Sequence, residues 1–185
     1  MSKIMEDIMQ KRVHFFVSES QLVAAFVAAG FATFIATMLG EWFPAFGWTP
    51  FSFNTLNGEV WAQNWITLSG FFPVITGTKL SPDFAYSLGA FAHYSQGFLF
   101  GLLFVFIVHP NLPGRLTQRN NLLKGIIWGL TLWLVSSSLV MPLLYGSGFL
   151  FSVWGQQNLF YNFVWHAAWG VNIGLLYNPL PKPQM

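Results

Sequence analysis

Between Leu22 and Leu39 the chain runs eighteen residues without a charged side chain. Three further apolar stretches follow at about 84–108, 122–145 and 158–177, with Lys124 the one charge among them, near an edge. A helix of about 20 residues crosses a hydrocarbon layer about 30 Å thick. Inside lipid every backbone polar group must be satisfied within its own segment, so such stretches become helices. The pattern therefore predicts an all-α membrane protein with four transmembrane helices in a single domain spanning residues 1–185. Composition agrees, because 54% of the 185 residues are hydrophobic and 8% charged, against about 25% charged in soluble domains. The chain has no cysteine, which excludes disulfides and thiolate metal sites.

Lysine and arginine give the orientation. Lys3, Lys11, Arg12, Arg115, Arg119, Lys124 and Lys182 fall on one side of four spans, and Lys79 falls on the other. Cytoplasmic loops carry the excess of positive charge. Both termini are accordingly expected in the cytoplasm. Residues 3–18 mix charge with Ile4, Ile8 and Val13 and read as an interfacial helix. Nothing in the charge pattern points to nucleic acid.

The exterior stretch 41–82 is long and aromatic, with Trp42, Trp48, Trp61 and Trp65. Its apolar part, Trp61 to Gly77, is broken by Gln63, Asn64, Gly70 and Pro73, which predicts an interfacial or re-entrant helix rather than a fifth span. Ser81-Pro82-Asp83 has the composition of a helix start. His109-Pro110 is expected to end the second span, and Pro142 to bend the third.

Two segments repeat one pattern. His93-x3-Gly97-x3-Gly101-Leu-Leu-Phe lies in the second span, and His166-x3-Gly170-x3-Gly174-Leu-Leu-Tyr lies in the fourth. Residues four apart share a helix face, so each histidine heads a groove of small residues of the kind on which membrane helices pack. Gly125 and Gly129 supply a similar face on the third span. Spans one and two then read as one helical hairpin and spans three and four as its parallel repeat, related by an axis along the membrane normal. The two histidines are expected at equal depth, in the outer half of the bilayer.

Several chemistries suit His93 and His166. As a pair on facing helices they could ligate haem b, and one alone could hold a chlorophyll-type magnesium. A metal site would need Glu41, Glu59 or Asp83 to dip in, and no closely spaced ligand set supports one. The plainer alternative is a hydrogen bond from each histidine to Ser95, Gln96, Asn162, Asn172 or Ser136–Ser138. His14 and His109 lie at membrane edges. No nucleophile motif is present, so no catalytic residue is assigned.

From His93 onward the order of features resembles a known group. His93-x3-Gly97-x3-Gly101 is followed by Pro113-Gly114, then Lys124-Gly125-x3-Gly129-Leu-Thr-Leu-Trp133, Met141-Pro142-Leu143, Gly146 and Gly148, and His166-x3-Gly170-x3-Gly174. This resembles the small four-helix bacterial inner-membrane proteins of unknown function called YagU-like, over about residues 85–178. The resemblance implies a four-helix membrane protein and no particular activity; the aromatic insertion at 41–82 departs from it.

Taken together, the features lead us to expect a non-catalytic accessory subunit of a larger electron-transfer complex of a respiratory or photosynthetic membrane. It would pack against other subunits, with a haem or chlorin as a cofactor that the histidine pair could hold. The alternatives are a stand-alone haem-b or metal-binding membrane protein, and a small channel or carrier.

Overall fold

The structure, a computed structural model, describes residues 19–49, 52–69, 80–115 and 117–177. The interfacial helix expected over 3–18, the second half of the apolar stretch ending at Gly77, and the prolines after Asn178 lie outside the described residues. Every regular element among the described residues is helical. The long helices are α1 (Glu19–Ala45), α2 (Phe53–Ser69), α3 (Pro82–Asn111), α4 (Gln118–Tyr145) and α5 (Gln156–Leu176). Among the described residues α1, α3 and α4 are long and apolar enough to cross a membrane, and α5 is not one of those. Six polar residues in α5 (Gln156, Gln157, Asn158, Asn162, His166 and Asn172) lower its hydropathy, although it carries no charge.

Helix limits follow local chemistry. Ser81 caps α3, its hydroxyl accepting from the Phe84 N–H at 3.3 Å with Pro82 in the first turn, as the sequence predicts. Thr117 caps α4 by the same contact to the Asn120 N–H at 3.3 Å, and Gly146 closes it in the left-handed conformation, φ +67°.

Three expected limits are corrected. α1 does not stop with the uncharged run at Leu39 but continues into the stretch expected to be exterior, to Ala45, where the Glu41 carboxylate accepts from Asn54 Nδ2 at 2.7 Å and from the Ser52 hydroxyl at 3.3 Å. The helix in the aromatic stretch starts at Phe53, eight residues before the expected Trp61. α3 does not end before His109-Pro110. It passes through them to Asn111 by way of a π turn at Phe104–Val108, in which the His109 N–H bonds the Phe104 carbonyl. α4 does the same before Pro142, with a π turn at Ser136–Val140 and the Met141 N–H on the Ser136 carbonyl. Proline has no N–H, and its ring presses on the carbonyl one turn back. One extra residue in the preceding turn lets the helix continue past it.

Small residues set the packing. Gly97 and Gly101 of α3 lie against Thr33 and Ala29 of α1. Gly170 and Gly174 of α5 lie against Gly129 and Gly125 of α4, close enough that a Cβ on Gly125 would come 2.4 Å from the Gly170 carbonyl oxygen. All six glycines that the sequence marks as packing positions are therefore at helix contacts. α1 is buried on two sides, with Ala25, Ala28, Ala29, Ala32 and Ala36 meeting α3 and the Trp169 and Ile173 side of α5. α2 lies antiparallel on the first turns of α3, where a Cβ on Gly89 would come 1.7 Å from the Asn54 carbonyl oxygen.

Candidate functional site

α3 and α4 meet at one end of the bundle, where Trp128 Nε1 donates to the Phe100 carbonyl at 3.2 Å. One turn beyond, Lys124 Nζ donates to the His109 carbonyl at 2.8 Å, and His109 Nε2 pairs with Asn121 Oδ1 at 2.9 Å. Lys124, His109 and Asn121 are all buried, and His109 is wedged edge-on against Phe104 and Tyr177. The sequence places His109 at a membrane edge; the structure makes it part of this buried latch.

Away from the latch the two helices part, and a cavity of about 250 Å³ opens between them. Its walls are mostly apolar and aromatic, with Phe100, Leu132, Val140 and Trp169 among them. The π turn of α4 contributes Ser136 and Val140 to one wall. Phe53 and Trp61 of α2 line the far end.

Both motif histidines line this cavity. Thr33 sets their level. Gly97 packs on it from α3, and Trp169 Nε1 donates to its hydroxyl from α5 at 3.1 Å. His93 is one turn before Gly97 and His166 about one turn before Trp169, so the two stand at matching heights on separate helices. Their surroundings differ. His166 Nδ1 lies 2.8 Å from the Asn162 carbonyl of its own helix. A carbonyl only accepts, so this nitrogen carries the proton, and in the neutral ring Nε2 is left as an acceptor or ligand. The His93 ring stacks on Trp165, centroids 4.7 Å apart, with Phe53 edge-on at 6.0 Å. His93 Nε2 is buried without a hydrogen-bond partner, and so is Trp165 Nε1.

Asn162 meets His166 through its carbonyl, but the side chains of most polar neighbours considered for the histidines are engaged elsewhere. The Ser137 hydroxyl donates to Asn162 Oδ1 at 3.0 Å, Ser138 to the Leu134 carbonyl at 2.6 Å, and Asn172 to the Ala168 carbonyl at 2.8 Å. Gln96 lines the cavity beside them. Of the acids considered for a metal, Glu41 is held by Ser52 and Asn54, and Asp83 is exposed at the start of α3. No group of three potential metal ligands occurs among the described residues.

Sequence reasoning missed the outer clamp. Asn57 Nδ2 donates to the Gly89 carbonyl at 3.0 Å, and the Tyr145 hydroxyl donates to Asn57 Oδ1, so one buried side chain ties α2, α3 and α4 together. Phe53 packs edge-on to Trp165 at 4.6 Å just below it. The available signal was the run Asn54-x2-Asn57-Gly58, with polar and small residues at i, i+3 and i+4 on one helix face. Compared with known proteins, the chain matches no family model, no curated protein and no solved structure.

Proposed function

We propose that the chain is a non-catalytic accessory subunit of a larger electron-transfer assembly of the bacterial inner membrane, holding a ligand between α3 and α4. The observation that carries the reading is the apolar cavity with a histidine of the repeated motif on each of two helices. In this reading α1, α3, α4 and α5 cross the membrane with both termini in the cytoplasm. α1–α3 and α4–α5 are parallel repeats, and α2 is an insertion in the first. The repeat is supported by the matched contacts of Ala29 and Thr33 with Gly101 and Gly97, and of Gly125 and Gly129 with Gly174 and Gly170. A subunit role is supported by broad apolar exposure, including Phe91 and Leu143 at 68% and 72%. Lipid and neighbouring subunits can both cover such a surface. Mild-detergent extraction at native abundance tests the role: other membrane proteins should accompany the chain at fixed ratio. Isolation as a lone monomer or homodimer rejects it.

A stand-alone haem-b protein is the second reading, favoured by His166, whose Nδ1–H contact leaves Nε2 free in the ligating tautomer. A Soret band lost in both His93→Ala and His166→Ala is its signature. Its absence from the purified chain removes that reading.

A further inference from the structure

Resting on the reading of the cavity as a ligand site, we propose that its occupant is the head group of a membrane-soluble quinone. Volume decides first. A cavity of about 150 Å³ holds one benzene ring, so about 250 Å³ holds a substituted ring or two fused rings. A tetrapyrrole joins four five-membered rings into one much larger plane and enters only if α3 and α4 move apart, against the latch at Lys124, His109 and Asn121.

Polarity decides second. A plain hydrocarbon would leave the buried His93 Nε2 as it stands, without a partner. An unsatisfied buried polar atom costs about 1–3 kcal/mol, and a ring oxygen recovers that cost once the His93 ring, which lines the cavity, turns its covered Nε2 toward the occupant. The imidazole suits either oxidation state of a quinone, because a ring nitrogen donates to a carbonyl or accepts from a hydroxyl according to its tautomer. His166 Nε2, the acceptor nitrogen left by the Asn162 contact, offers a second position for a reduced ring. Flat aromatic walls, with Trp165 and Trp169 among them, match a planar ring. Access decides third. The surfaces of α3 and α4 outside the cavity carry exposed Leu99, Leu134 and Leu139, so the route in runs through lipid, where a quinone tail already lies.

The test titrates the purified full chain, in lipid nanodiscs, with decyl-ubiquinone and with a short-tailed naphthoquinone, following quenching of tryptophan fluorescence. Decanol supplies the tail without the ring. The wild type should saturate with at least one of the two quinones and not respond to decanol. His93→Leu should weaken binding about tenfold, as loss of one hydrogen bond does, and His93→Gln, which keeps polar atoms there, should fall between. Leu132→Trp, which fills the cavity from α4, should abolish saturation. Quenching that rises linearly in the wild type, or affinities equal in all four proteins, overturns the proposal. Partner proteins without saturable binding would sink the quinone and leave the subunit reading standing. Saturable binding by a chain that purifies alone would do the reverse. A Soret band would replace the quinone with haem.

Discussion

Gly58 and Gly89 show how much one missing methyl group decides. α2 and α3 cross with backbone touching backbone, and a Cβ on Gly58 would come 1.8 Å from the Ala85 carbonyl oxygen. Gly89→Ala should force the helices apart and cost about 1–3 kcal/mol, the usual range for overpacking. At about 2–4 °C per kcal/mol for a chain of this size, thermal unfolding followed by circular dichroism should shift down by several degrees. An unchanged midpoint would mean that α2 is not docked there. Beside this contact, Asn57 and Tyr145 form the clamp. A double-mutant cycle of Asn57→Leu and Tyr145→Phe should give a coupling near 0.6 kcal/mol and below about 1.7, the span measured for hydrogen bonds between membrane helices. Simple additivity would show that the pair is not formed.

At the scale of the element, the sequence was informative wherever the cause of a feature was local. Ser81-Pro82 starts a helix by its own chemistry, and glycines four apart mark a packing face whatever packs on it. The limits misread were those set by distant partners. Glu41 reads as the end of a span until Ser52 and Asn54 return to neutralise its demand for donors. His109-Pro110 reads as a stop until Asn121 and Lys124 hold the last turn. The two π turns yield a prediction. Deleting Leu139 alone leaves Pro142 pressing on a regular turn and should cost roughly 3 kcal/mol. Deleting Leu139 together with Pro142→Ala should give an ordinary α-helix, keep Tyr145 in register with Asn57, and restore most of the lost thermal stability. Equal losses in both variants would show that the extra residue does not serve the proline.

On the scale of the molecule, the start of α1, the α3–α4 connection and the end of α5 share one end, since Ala29 meets Gly101 while Gln118 Nε2 donates to the Leu175 carbonyl at 2.8 Å. The cysteine-free chain allows a clean check of how that end faces. With Arg115→Cys and Ser152→Cys made singly, an impermeant maleimide applied to intact spheroplasts should label position 152 at once and position 115 only after lysis. The opposite pattern would invert the proposed topology. The helices are also unevenly joined: α1 meets α5 along a tight alanine face, whereas α3 and α4 stand apart around the cavity. Void space is what hydrostatic pressure removes, and the volume lost on unfolding grows with it. The α3–α4 side should therefore be the compressible half of the molecule, yielding first as pressure rises, and a ring lodged between His93 and His166 should stiffen that half.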